Sequence, residues 1–111
     1  MSDPGQEAVD FRMLQRAQSA ASERALVAAV QQGDVEAFRV LHEQYVVDLL
    51  DFAFTYLRSR DDAEEVVQDL FLWIWDHRHE WNAPGGVRSY LFKSVRNRAI
   101  RAAYRTRRRS P

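Results

Sequence analysis

Residues 62–77 read DAEEVVQDLFLWIWDH and show the clearest helical pattern of the chain. Apolar side chains recur every three or four positions, which is the period of an α-helix with one buried side. The predicted core-facing arc consists of Ala63, Val66, Val67, Leu70, Phe71, Trp73 and Ile74. Asp61 is followed by Glu64 three positions later and resembles a capping box, so we expect a helix from Asp62 to about His77.

The opposite side of this predicted helix is acidic but contains a leucine. Leu72 is surrounded by Glu64, Glu65, Gln68, Asp69 and Asp76, with Trp75 at the margin. An apolar side chain within a charged rim is typical of a protein-binding surface. A single exposed leucine is also common on any protein surface. The pattern alone leaves both interpretations open.

The remainder of the chain also predicts helices. A short helix runs from Ser22 to Gln32, where Gly33 can end it as a C-cap. Asp34 can cap the start of a second helix that continues to about Leu57. A further helix begins near Gly86 and runs to about Thr106.

The segment from His77 to Val87 reads as a loop, because it holds two of the four glycines and one of the three prolines. These features predict an all-α fold, a compact bundle of about four helices with a long loop before the last helix. We expect a mobile or partly helical leader at residues 1–21, one helical domain at 22–106, and a basic tail or the start of a linker at 107–111.

Charge is distributed very unevenly along the chain. All sixteen acidic residues lie at or before Glu80, whereas the last thirty-one residues carry nine Lys and Arg and no acid. The net charge of zero therefore combines a part near −9 with a tail at +9. Such asymmetry indicates two kinds of partner, a phosphate backbone for the basic end and a basic protein surface for the acidic part.

The last predicted helix has a small-residue inner side and a basic outer side. The inner side consists of Leu91, Phe92, Val95, Ala99, Ala102 and Ala103, and the outer side of Tyr90, Lys93, Ser94, Arg96, Asn97, Arg98, Arg101 and Arg105. Arg and Lys neutralise phosphates, Asn and Arg hydrogen-bond base edges, and Tyr stacks on unpaired bases. A solvated basic face is the simpler alternative, but no acid offsets this charge, so the pattern favours nucleic acid.

Several classes of function are not expected. The chain has no Cys and no apolar run of the ~20 residues that span a bilayer, so we expect a cytoplasmic protein without membrane insertion. His77 and His79 form a short His-x-His that His42 could join, but without Cys or a second motif we expect no metal and no cofactor. No phosphate loop and no nucleophile with a recognisable base is visible, so we do not expect an enzyme.

Three blocks of sequence together resemble region two of extracytoplasmic-function sigma factors. The blocks are GDVEAF at residues 33–38, DAEEVVQDLFLWIW at 62–75 and RSYLFKSVRN at 88–97, and the resemblance covers about residues 25–108. It implies a promoter-recognition domain that binds core RNA polymerase and recognises and helps to melt the minus-ten element. It also implies an anti-sigma factor as a regulatory partner.

The resemblance assigns a role to each of the two charged surfaces. The helix of residues 62–75 would dock on the clamp coiled coil of the β′ subunit through Glu64, Glu65, Gln68, Asp69 and Leu72. The loop and last helix would hold the melted non-template strand, with candidate contacts at Trp81, Asn82, Arg88, Tyr90, Lys93, Asn97, Arg98, Arg101 and Arg105. Residues 107–109, all Arg, would add phosphate contacts that weaken with salt.

The sequence leaves the role of Trp81 open, and the chain departs from the family pattern at two positions. Trp81 could help to form a base pocket, or it could cover the end of the core beneath the loop. Tyr90 stands where the family often has Trp, and Arg101 where an acid is frequent. The chain stops at Pro111, whereas family members usually continue into a helix-turn-helix domain.

Two other functions compete with this interpretation. One is a helical protein-interaction adaptor whose acidic and basic sides both meet proteins. The other is a helix-turn-helix regulator of duplex DNA, which the long loop before the last helix disfavours because that motif needs a short turn.

Overall fold

The structure, a computed structural model, describes the backbone of residues 4–109 and the side chains of residues 11–106. It contains four α-helices, α1 (Pro4–Gln31), α2 (Val35–Leu57), α3 (Arg60–Asp76) and α4 (Val87–Arg109). No strand occurs between residues 4 and 109. The prediction of an all-α bundle with about four helices and a long loop before the last one is confirmed.

Helix α2 is the centre of the bundle, because it packs against each of the other three helices, and α3 also packs against α4. All four helices contribute aliphatic side chains that are completely buried. These include Val30, Leu41, Leu49, Ile74, Leu91 and Val95. Full burial of one aliphatic side chain contributes about 1.5–3 kcal/mol of favourable transfer free energy.

Helix α1 begins at Pro4, whereas the sequence pattern predicts a start at Ser22. The predicted start was wrong because residues 11–20 have no apolar periodicity. The structure explains why this periodicity is missing. Their side chains are exposed along this part of the helix, including Phe11, Met13 and Leu14. Amphipathic periodicity detects only helix that packs against a core.

The corner between α1 and α2 follows the predicted capping. Gly33 has a φ of +85° and donates its N–H to the carbonyl of Val30, while the Asp34 N–H donates to Ala29. This pair of bonds is the Schellman arrangement at the end of a helix. The Asp34 carboxylate then accepts from the backbone N–H groups of Glu36 and Ala37 and caps α2.

The start of α3 differs from the prediction. Ser59 is the N-cap, and its hydroxyl accepts a hydrogen bond from the Asp62 N–H at 3.2 Å, so Asp61 lies in the first turn instead. The helix therefore begins at Arg60, two residues before the predicted start. A Ser hydroxyl satisfies the free N–H groups of a first turn as well as a carboxylate does.

The predicted core arc of α3 is correct except at Trp73. Its ring is 39% exposed and stacks on His77 one turn later, with 4.3 Å between ring centroids. Phe71, at the other margin of the arc, is buried because Phe38 and His42 of α2 contact it edge-on. The two margins of the arc therefore differ in burial, because α2 covers Phe71 and leaves Trp73 partly exposed.

Over the residues that the structure describes, none of the helices is both long enough and apolar enough to cross a membrane. The predicted tail at residues 107–111 lies outside the described side chains, although the backbone of α4 extends to Arg109.

Candidate protein-binding and nucleic-acid-binding surfaces

The acidic side of α3 is formed as the sequence predicts. Glu64, Glu65, Gln68 and Asp69 are all exposed, and Leu72 between them is 53% exposed. We call these five residues the acidic surface. It presents one apolar side chain to solvent within a negatively charged surround.

A groove between α2 and α3 borders Leu72, and sequence reasoning did not identify it. Its floor contains Phe38, Val46, Leu50, Val67 and Phe71, and Glu64 and Gln68 lie at its edge. Val47 and Phe54 of α2 extend this apolar region and are 64% and 48% exposed. The signal available in the sequence was that α2 carries apolar residues on more than one arc of the helix.

The outer side of α4 presents most of the predicted nucleic-acid contacts to solvent. Lys93, Asn97, Arg101 and Arg105 are exposed, and Arg98 is half-buried. We call these five residues the basic surface. Arg101 donates from Nε to the Asn97 carbonyl at 3.3 Å, which holds its stem along the helix.

Two predicted contacts at the start of α4 are engaged within the domain. Arg88 is 3.7 Å from the carboxylate of Asp48 on α2, and its guanidinium lies 4.6 Å from the centre of the Phe92 ring. Tyr90 is half-buried, and its ring meets the Trp81 ring edge-on at 5.8 Å. The Arg88 side chain is still 64% exposed, so it can reach a ligand as well.

The loop of residues 77–86 contains two candidates with opposite placements. Trp81 is only 3% exposed and belongs to the core, which is the second of the two interpretations that the sequence left open. Its Nε1 has no hydrogen-bond partner among the described residues. Asn82 is exposed, and its Oδ1 accepts the Ala83 N–H at 2.8 Å.

Helix α1 contacts both ends of this loop. Gln31 donates from Nε2 to the Trp81 carbonyl at 2.6 Å, and the Gln31 carbonyl accepts from Nδ1 of His79 at 2.9 Å. At the other end, Glu23 Oε1 accepts the N–H of Val87, the first residue of α4, at 3.3 Å. Sequence reasoning missed Glu23 and Gln31, because contacts across forty-eight or more positions leave no local pattern.

Glu23 lies at the junction of three helices. With Leu26 of α1 it lines a cavity that also includes Gln44 and Tyr45 of α2 and Val87 of α4. Burial and the Glu23 carboxylate raise the pKa of the Tyr45 hydroxyl above its ordinary value of 10.0, and Arg88 opposes this shift. The carboxylate therefore acts on both neighbouring helices.

The base of the loop is held by Arg78. Its guanidinium donates to the Trp75 carbonyl at 2.8 Å and lies 4.4 Å from the centre of the Trp75 ring. A Cβ at Gly33 would lie 3.5 Å from Arg78 Nε, so the α1–α2 corner packs directly on this side chain.

The histidines that the sequence considered for a metal have other contacts. His42 packs on Phe71, His77 bonds from Nδ1 to the Trp73 carbonyl, and His79 bonds to Gln31. Within the described residues, no group of three His, Cys, Asp or Glu side chains could hold a metal ion.

The acidic and basic surfaces meet along one edge of the molecule. Glu65 and Asp69 of α3 line a groove together with Arg105 of α4, and Asp69 lines an adjoining groove with Arg98 and Arg101. No ion pair within 4.0 Å joins these side chains in the described part of the chain. Opposite charges therefore line the same grooves without direct contact.

An apolar side chain within a charged rim suits contact with a protein, and a basic helix suits contact with a nucleic acid, so this class of domain has a surface for each kind of partner. Comparison with known families identifies the family: residues 41–110 match sigma-70 region 2, and the chain belongs to that family. Domains of this family serve sigma factors in promoter recognition and in binding core RNA polymerase. Comparisons with curated proteins and with solved structures gave no match.

The family assignment confirms the resemblance at the level of sigma region two. The matched span includes most of α2 and all of α3, the loop and α4, whereas α1 precedes it. The extracytoplasmic-function subtype and the role of each candidate residue stay predictions.

Proposed function

We propose that this domain belongs to an extracytoplasmic-function sigma factor. Its acidic surface on α3 binds the β′ clamp coiled coil. Its basic surface on α4, with the preceding loop, holds the melted minus-ten non-template strand. The observation that carries the proposal is the placement of an exposed Leu72 within an acidic side of α3, beside a basic α4, in a chain of the sigma-70 region 2 family.

The polymerase side of the proposal depends on Leu72. Leu72 is 53% exposed, so its burial by a partner makes the free energy of binding more favourable. The carboxylates around it favour a basic partner. The α2–α3 groove beside Leu72 adds apolar area for the same partner. Interfaces commonly combine such an apolar centre with a charged rim.

Binding to purified bacterial core RNA polymerase tests this side. Leu72→Ala removes the central contact and Asp69→Arg reverses a rim charge, and each should weaken capture by at least about tenfold, the loss typical of a central interface residue. Ile100→Ala is the matched control, since Ile100 is 42% exposed but lies on α4. Unchanged capture by Leu72→Ala would refute the docking assignment.

The nucleic-acid side depends on exposed donors beside an exposed loop amide. Lys93, Arg101 and Arg105 can contact phosphates of the strand, and Asn82 can hydrogen-bond the edge of an extruded base. Opening a duplex costs unstacking energy, which capture of the single strand offsets without any nucleotide hydrolysis. Trp81 would take part indirectly, by supporting the loop from the core.

Single-stranded oligonucleotides enriched from a randomised pool provide a suitable probe. The wild-type domain should prefer the enriched strand over a scrambled strand and over the same sequence as duplex. Asn82→Ala should reduce that preference by about tenfold, the value of one base-edge contact. Equal binding to every sequence in either form would reduce the domain to a nonspecific polycation.

The Arg101→Ala variant tests phosphate contact separately. Removing one phosphate contact lowers the slope of log K against log salt by about 0.7 for a single strand. Sequence preference should stay as in the wild type. A variant with an unaltered slope would show that Arg101 does not touch the backbone.

We further propose an anti-sigma factor as the regulatory partner and the cytoplasm as the place of action. Both follow from the proposed subtype. Co-purification of a partner that competes with core polymerase for the domain would support the first, and the absence of any such competitor would count against it.

A further inference from the structure

Helix α1 precedes the span matched by the family, yet it holds both ends of the loop that carries Asn82. Gln31 binds the Trp81 carbonyl through its side chain and His79 through its backbone. Glu23 binds the backbone N–H of Val87, where the loop becomes α4. These three bonds join the loop to one rigid element.

The spacing of the two α1 residues sets the span of the loop. Glu23 and Gln31 are eight positions apart, which corresponds to about 12 Å along a helix. Between the anchored residues Trp81 and Val87, Asn82 is exposed. A helix changes its length very little, so the distance between the anchors is maintained.

We infer that Gln31 and Glu23 are positioning residues, which hold the loop in the conformation that presents Asn82 to an extruded base. This inference rests on the proposed role of the loop in holding the minus-ten strand. Neither residue needs to touch the nucleic acid. Their effect is to reduce the number of loop conformations, so that less conformational entropy is lost when a base binds.

The charge of Glu23 adds a second effect. Its carboxylate lies at the first N–H of α4, where the helix dipole favours a negative group. Glu23 and Arg88 act in opposite directions on the pKa of the Tyr45 hydroxyl, which Glu23 raises and Arg88 lowers. The first turn of α4 has no acidic residue of its own. Glu23 of α1 supplies the negative group that holds the start of α4 in place.

The experiment compares sequence preference in variants of the full chain. Gln31→Glu replaces the donor to the Trp81 carbonyl by an acceptor, and Glu23→Ala removes the acceptor for Val87. The matched control is Gln32→Glu, the same change at an exposed neighbouring position. Glu23→Gln keeps an acceptor oxygen but loses the negative charge, so it separates the two effects of Glu23. The ratio of affinities for the enriched single strand and for strands with one base substituted is the readout.

Gln31→Glu and Glu23→Ala should each reduce this ratio by roughly fivefold, the equivalent of one hydrogen bond. The salt dependence of binding and the capture of core polymerase should stay at wild-type values in both variants, and Gln32→Glu should keep the wild-type ratio. Glu23→Gln should reduce the ratio by less than Glu23→Ala does. Hydrogen exchange should become faster at the Val87 amide in Glu23→Ala while core amides stay protected.

Two failures are distinguishable. If the wild type discriminates between sequences and both variants retain its full ratio, α1 has only a structural role and the inference is wrong, while the proposed function stands. If the wild type itself does not discriminate, the proposed function fails and the inference fails with it.

Discussion

At the scale of single residues, Trp81 shows how burial changes the interpretation of an aromatic loop residue. Its ring is 3% exposed and contacts Tyr90 edge-on, so it fills the end of the core beneath the loop. Its Nε1 nevertheless lacks a partner among the described residues, and an unpaired buried donor costs about 1–3 kcal/mol. The ring stabilises the fold, whereas the indole N–H opposes it.

Substitutions at Trp81 should separate these two effects. We expect Trp81→Ala to lower the free energy of unfolding by about 3 kcal/mol, because it leaves a cavity. Trp81→Phe should cost clearly less, since it keeps a ring and removes the unpaired N–H. Urea unfolding measures both, with Trp73→Phe as the control at a partly exposed tryptophan. A Trp81→Ala variant as stable as the wild type would show that the ring is not part of the core.

At the scale of the helix, the start of α3 depends on a side chain other than the one the pattern indicated. The Ser59 hydroxyl bonds to the Asp62 N–H, and Asp61 lies in the first turn, where it interacts favourably with the helix dipole. This position matters for function, because α3 carries the acidic surface.

We expect Ser59→Ala to destabilise the domain by about 1 kcal/mol, the usual cost of losing an N-cap. Asp61→Asn should cost about 0.5 kcal/mol, since only a dipole interaction weakens. Thermal unfolding at matched buffer conditions compares the two. A larger loss of stability for Asp61→Asn than for Ser59→Ala would show that Asp61, and not Ser59, is the N-cap.

At the scale of the whole molecule, the division of charge at Glu80 has a geometric consequence. The chain folds so that Glu65 and Asp69 of α3 line grooves with Arg98, Arg101 and Arg105 of α4. Carboxylates so placed lower the attraction of the basic surface for phosphate. A basic partner bound at the acidic surface would offset those carboxylates.

Neutralising both carboxylates should therefore strengthen binding to nucleic acid. We expect the double variant Glu65→Gln, Asp69→Asn to bind a single strand about threefold more tightly at 50 mM salt, with the gain lost near 0.5 M as screening increases. The double variant Glu36→Gln, Glu43→Gln changes net charge equally but acts at carboxylates paired with Arg39 of α2. An equal gain in this control would show that net charge alone is responsible.

The sequence was sufficient for the number of helices, for most of their bounds and for the composition of the two charged surfaces. Local hydrophobic period and capping residues determine these features, and both are read from neighbouring positions. It was insufficient at the start of α1, where exposed helix has no period, and at Trp73, where only the packing of α2 distinguishes the two margins of an arc.

Three features depend on tertiary structure alone. The burial of Trp81, the bonds from α1 to both ends of the loop, and the meeting of the acidic and basic surfaces each join residues far apart in the chain. All three features have the same physical reason. Local preferences specify which side of each helix is apolar. Only the packing of the helices against one another decides which polar side chains become neighbours.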